Sequence, residues 1–95
     1  MAKKSTTHVL TDPVQLDAIK KRLKRAHGQL GAVVRMLEEG RTCEEIVTQI
    51  SAVGKAVNTA AFTLIAANLQ ECIEDADANT PAVTLKLQKL FLSLA

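Results

Sequence analysis

The strongest constraint on this chain is an apolar stripe that never slips phase. Leu16, Ile19, Leu23, Ala26, Leu30, Val33 and Leu37 recur at spacings of three and four for more than three heptads, which is the period of a helix with one buried seam and not that of a strand. A second stripe follows through Ile46, Ile50, Val53, Val57, Ala61, Leu64, Asn68 and Cys72, widened by Ile65 beside Leu64. No proline lies between Pro13 and Pro81, so each stripe reads as one continuous helix.

The ends of these helices are marked in the sequence. Asp12 before Pro13 is an N-cap followed by a proline at the first helical position, and Gly40 after Glu39 is a C-terminal stop. Gly28 and Gly31 each weaken the first helix by about 1 kcal/mol relative to alanine. The stripe runs through them, which indicates close packing or local bending and not a break. Thr42 is the N-cap of the second helix, and Glu45 stands where it can close a capping box. Thr80 and Pro81 open a short third helix with Val83, Leu87, Leu90 and Leu94 on one face, after an acidic "EDADAN" loop. The fold class is all-α, with residues 1–11 a flexible N-terminal arm and 12–95 a single helical domain.

Ninety-five residues bury a limited fraction of their surface, and a short third helix does not cover two long apolar faces, so self-association is expected. Apolar residues make up 47% of the chain, yet no uninterrupted apolar run reaches the roughly 20 residues of a membrane span, and the basic N-terminus leads into no signal-peptide core. The chain reads as soluble and cytoplasmic. Phe62 and Phe91 are its only aromatic residues, too few for a platform that stacks single-stranded bases. The net charge of +2 hides an asymmetry: residues 1–36 carry eight Lys or Arg against two Asp, residues 37–95 four against eight Asp or Glu.

Two thiols, Cys43 and Cys72, stand at opposite ends of the second helix. Twenty-nine residues of helix separate them by roughly 43 Å, far beyond a disulfide or a shared metal ion. Antiparallel pairing of this helix with its copy from another chain brings Cys43 of one protomer beside Cys72 of the other, twice by symmetry. The alternative is that each is an ordinary small buried residue. The helix start favours thiolate at Cys43, while Glu44 and Glu45 oppose it.

The segments "RLKRAHGQL", "VRMLEEGRTCEEIVTQISAV" and "NLQEC" together resemble the copper-sensitive operon repressor (CsoR) family of bacterial transcriptional repressors, over roughly residues 14–95. The resemblance implies a three-helix protomer, an antiparallel four-helix-bundle dimer, a tetramer made of two dimers, and binding to double-stranded operator DNA that an inducer releases. It also implies a sensing site at three positions, filled here by Cys43, Asn68 and Cys72. Copper sensors of the family carry histidine at the middle position. An amide is a poor ligand for Cu(I), which favours thiolate and imidazole, although Cys43 and Cys72 alone still allow linear copper coordination. Nickel and cobalt sensors need several histidines, and formaldehyde sensors keep the first cysteine. The order Cys, Asn, Cys is most similar to the persulfide-sensing branch, the CsoR-like sulfurtransferase repressors (CstR). In that branch Cys43 attacks a reactive sulfur species, Cys72 of the partner chain resolves it, and Asn68 leaves the pocket uncharged and without an imidazole ligand. No cofactor is implied, with Cu(I) as the alternative.

Lys20, Lys21, Arg22, Lys24 and Arg25 lie outside the apolar seam of the first helix, where a basic cluster neutralises phosphates or is simply a solvated face. Arg22, Arg25 and Gln29 match the family's "R-x-x-R-x-x-G-Q" surface, and Lys55 is the nearest basic residue where copper sensors have arginine further along, beside neutral Asn58 and Thr59. His27 and His8 read as surface or packing residues and lie outside the expected site. The competing reading from another class is a helical oligomer with redox or scaffold cysteines and no DNA partner. An enzyme is not expected, because no nucleophile and base at a recognisable spacing, phosphate loop or catalytic carboxylate pair occurs.

Overall fold

The computed structural model describes residues 7–75 and 79–94. They form three helices, α1 (Pro13–Glu38), α2 (Cys43–Glu74) and α3 (Thr80–Leu94), with no strand among the described residues. The caps explain where the helices start. Asp12 accepts a hydrogen bond from the Val14 amide at 2.9 Å, ahead of Pro13, and Thr42 accepts one from the Glu45 amide at 3.2 Å. Glu45 does not close the capping box, because its carboxylate is taken by Arg41 Nε at 2.7 Å.

α1 ends as the glycine suggests. Gly40 has φ +71°, and its amide and that of Arg41 bond to the carbonyls of Leu37 and Met36, the two hydrogen bonds of a Schellman turn. Gly28 meets no neighbouring atom within 4 Å of a would-be Cβ, so the close packing expected there is not made within the protomer. α3 departs from its expected cap. Asn79 accepts from the Ala82 amide through its side chain and from the Val83 amide through its carbonyl, which leaves the Thr80 hydroxyl free to turn elsewhere.

α1 and α2 form an antiparallel hairpin. Leu10, Ile19 and Ala67 pack together with Leu16 at one end, and Val33, Ile46 and Val53 with Met36 at the other. The buried residues of α1 are Ile19, Ala26 and Val33, seven apart, and those of α2 include Ile46, Val53, Ala60 and Ala67 at the same interval. The hairpin thus uses one row of each seam. The other rows, Leu23, Leu30 and Leu37 on α1 and Ile50, Val57 and Leu64 on α2, stay exposed, Leu30 by 51% and Leu64 by 39%. α3 packs on α2 alone, through buried Val83 and a tilted contact between Phe62 and Phe91 with ring centroids 5.0 Å apart. The molecule is an elongated slab of 61 × 26 × 17 Å.

α2 also carries an 18-residue window of mean hydropathy 1.4, sufficient by length and composition for a membrane span and only 17% buried in the protomer. No uninterrupted apolar run marks this window in the sequence, because polar residues such as Thr48, Asn58 and Thr59 interrupt α2 without making it hydrophilic.

Candidate sensor site and basic face

Cys43 and Cys72 occupy opposite ends of α2, which runs unbroken from Cys43 to Glu74. Their separation is therefore roughly 43 Å along the axis, and no intrachain pairing is available. Their surroundings differ. Cys43, the first residue of the helix, is exposed, whereas Cys72 is fully buried within its own protomer. The Cys72 thiol donates to the Thr80 hydroxyl at 3.8 Å, and that hydroxyl donates to the Cys72 carbonyl at 3.3 Å.

Asn68 lies one helical turn before Cys72 and is only 7% exposed. Both ends of its amide are in use: Nδ2 donates to the Leu64 carbonyl at 2.7 Å, and Oδ1 lies 2.7 Å from His8 Nδ1. The sequence excludes His8 from the site and leaves the pocket without an imidazole. The fold brings one to Asn68 from sixty residues away.

His8 arrives because the end of the N-terminal arm is docked. Glu71 Oε1 accepts from the Thr11 amide at 3.0 Å and the Thr11 hydroxyl at 3.2 Å, Oε2 accepts from the Asp12 amide at 2.6 Å, and His8 Nε2 lies 3.4 Å from Oε1. Leu10 is buried against Ile19 and Ala67. Within the arm expected to be flexible, His8, Leu10 and Thr11 contact α2 while Val9 is exposed, and residues 1–6 fall outside the described residues. The Thr11 amide above all, then the Asp12 amide, the Thr11 hydroxyl and His8, hold the Glu71 carboxyl below its ordinary value, against a smaller upward push from burial.

Sequence reading missed His8, Thr11, Glu71 and Thr80. Glu71 stands inside the segment "NLQEC", but only the fold shows what its carboxylate holds. Lys20, Lys21, Arg22, Lys24, Arg25, Gln29 and Lys55 are all exposed, and Lys21 pairs with Asp17 at 2.9 Å. Arg22, Arg25 and Gln29 share one face of α1 at spacings of three and four. His27 is exposed, as expected of a surface residue.

A family model described as "Metal-sensitive transcriptional repressor" matches residues 15–93. The chain belongs to this family. Its members are transcriptional repressors and not enzymes, in agreement with the sequence reading. The chain is 41% identical over 64 residues to the copper-sensing transcriptional repressor RicR of Mycobacterium tuberculosis, covering 67% of each chain. It is 40% identical over 60 residues to the copper-sensing transcriptional repressor CsoR of Bacillus subtilis, covering 63% of this chain and 59% of the relative. With CsoR of Mycobacterium ulcerans it shares 34% identity over 70 residues, 74% of this chain and 58% of the relative. The matched stretch thus spans about three fifths of the two CsoR relatives. No solved structure matches the chain.

Membership in a metal-sensitive family raises the question of whether these residues fit a metal ion. Among the described residues no three His, Cys, Asp or Glu side chains gather in a way that would hold one. Asn68 is hydrogen-bonded at both ends of its amide, and the two sulfurs lie far apart. The described donors of a single chain do not make a metal site.

Proposed function

We propose that the chain is an operator-binding repressor whose inducer is a reactive sulfur species acting on Cys43 of one protomer and Cys72 of another. The observation that carries this reading is Asn68: at the middle sensing position stands an amide whose two ends are already bonded, one of them to His8. It offers no soft donor to Cu(I), while the thiols keep their sulfur chemistry.

The open apolar rows of α1 and α2 favour a second hairpin as partner, giving a four-helix bundle, and pairing of two such dimers gives the family's tetramer. Antiparallel α2 helices then set Cys43 against the partner's Cys72. A Cys43 thiolate attacks the sulfane sulfur of a persulfide or polysulfide, forms a Cys43 persulfide and releases a thiolate. The partner's Cys72 thiolate attacks the Cys43 sulfur and expels hydrosulfide, leaving a disulfide. With two or three sulfane sulfurs on Cys43, attack on the penultimate sulfur leaves a tri- or tetrasulfide and again expels hydrosulfide. An exposed Cys43 suits the attacking role, and Cys72, buried by its own chain, has to be uncovered for the second step. The basic face of α1, from Lys20 to Gln29, with Lys55 from α2, contacts operator phosphates, and the protein works where that DNA is, in the cytoplasm.

A copper-responsive repressor is the second reading, favoured by the copper-sensing relatives. Cys43 and the partner's Cys72 would then be the thiolate donors, with the imidazole of His8, 2.7 Å from Asn68 Oδ1, the nearest nitrogen donor. Parallel titrations with Cu(I) and with polysulfide, on the native protein and on Asn68→His, separate the two. The sulfur reading expects Asn68→His to bind Cu(I) at least tenfold more tightly than the native protein, and polysulfide to release native protein from DNA. Equal copper affinity in both, with copper releasing DNA and polysulfide not, establishes the copper reading instead.

A further inference from the structure

The Thr80 hydroxyl stands between two atoms of one residue. Its oxygen accepts the Cys72 thiol proton at 3.8 Å, and its own proton goes to the Cys72 carbonyl at 3.3 Å. Thr80 is free for this because Asn79, one residue earlier, caps α3 with its side chain and its carbonyl. The sulfur it touches is completely buried, and a buried thiolate that receives no hydrogen bond is costly. The neighbouring polar groups of α2 do not supply one readily. The Asn68 amide spends an N–H on the Leu64 carbonyl at 2.7 Å, and Glu71, next to Cys72 in the chain, carries a carboxylate held in its charged form, whose like charge opposes a second anion.

We infer that Thr80 is a positioning residue for the resolving step: when Cys72 loses its proton, the Thr80 hydroxyl turns its own proton from the Cys72 carbonyl to the sulfur and stabilises the thiolate for attack. A hydroxyl carries one donor and two acceptor lone pairs on a freely turning bond, so accepting from a thiol and donating to a thiolate differ only by a rotation. The carbonyl it leaves keeps a partner, the Asp75 amide at 3.3 Å. A hydrogen bond to an anion is roughly twice as strong as one between neutral groups, which favours the turn. In the step itself the Cys72 thiolate bonds to the Cys43 sulfur of the other chain, the bond from that sulfur to the outer one breaks, and hydrosulfide leaves with the electron pair. The proton that Cys72 gave up ends on the hydrosulfide as hydrogen sulfide, and Thr80 keeps its own throughout. The importance of Thr80 for induction rests on the reading of Cys72 as the resolving thiol. Its effect on the Cys72 sulfur can be measured whatever the inducer is.

The test follows the two sulfur steps separately in full-length protein, by mass spectrometry at intervals after polysulfide is added: the Cys43 persulfide first, the bridge to Cys72 second. Thr80→Val keeps the shape of the side chain and removes the hydroxyl. It should leave Cys43 persulfidation at the native rate and slow bridging about three- to tenfold, the effect being limited because a stabilised thiolate is also a weaker nucleophile. Thr80→Ser keeps the donor and should bridge as fast as the native protein. Bridging at the native rate in Thr80→Val overturns the role, and so does a Thr80→Ser protein as slow as Thr80→Val, which would make the lost contact one of packing. Should Thr80→Val fail to fold, Thr80→Ala takes its place in the same comparison. A second arm needs no sulfur inducer. In Cys43→Ser protein, where Cys72 is the only thiol, alkylation by iodoacetamide should slow by a similar factor on Thr80→Val and recover with Thr80→Ser. Absence of any bridge in the native protein, with this alkylation pattern intact, overturns the sulfur reading and leaves Thr80 as the donor to Cys72; alkylation indifferent to Thr80 overturns the donor whatever polysulfide does.

Discussion

Glu71 gathers two amides, a hydroxyl and an imidazole on one carboxylate, and this gives the docked segment a pH dependence of definite sign. Those donors lower the folded carboxyl below the ordinary 4.5, so its stabilising contribution is complete above that value and disappears as pH falls through the lower, folded one. The amide proton shifts of Thr11 and Asp12, followed by NMR against pH, should therefore titrate with a midpoint below 4.5; a midpoint at or above it would show that the carboxylate does not hold the segment. None of this was legible in the sequence, because each bond joins residues about sixty positions apart. Cys43, Asn68 and Cys72 were placed on their helix by spacing alone. The imidazole beside Asn68 was not, since nothing local to His8 signals where the chain carries it.

The elements themselves were the most legible part, for reasons that are local. Asp12 with Pro13 and Gly40 with its positive φ bound α1 by backbone chemistry that acts within a few residues. The cap of α3 lies one residue before the expected Thr80, because Asn79 and Thr80 are both good caps and the Thr80 hydroxyl bonds Cys72 instead. The seam of α1 keeps the phase its sequence shows, but only Ile19, Ala26 and Val33 of it are buried within the chain. Flanking this buried row on the same helix, Arg22→Glu and Arg25→Glu should each weaken binding to an operator duplex. The slope of log K against log salt should become shallower by about one for each phosphate that is no longer neutralised. Circular dichroism should be unchanged, because both side chains are exposed. Unaltered affinity and slope in both variants would remove α1 from the DNA interface.

For the whole molecule, the exposed rows Leu23, Leu30, Leu37 and Ile50, Val57, Leu64 are what a single protomer leaves unpaired. Assembly should depend on them: Leu30→Glu combined with Leu64→Glu should give a monomer by light scattering at micromolar concentration, while the native protein should give a dimer or tetramer. A native monomer would refute the assembly. The central claim joins assembly, sensing and DNA in one event and is tested in one experiment. Operator-bound protein is treated with polysulfide while fluorescence anisotropy records release, and the released protein is digested without reductant and its bridged peptides sequenced by mass spectrometry. The account predicts release accompanied by a Cys43 to Cys72 bridge of two to four sulfurs between chains, reversed by dithiothreitol and absent in Cys43→Ser. Full occupancy of the operator after polysulfide treatment, or release with both thiols unmodified, would contradict it.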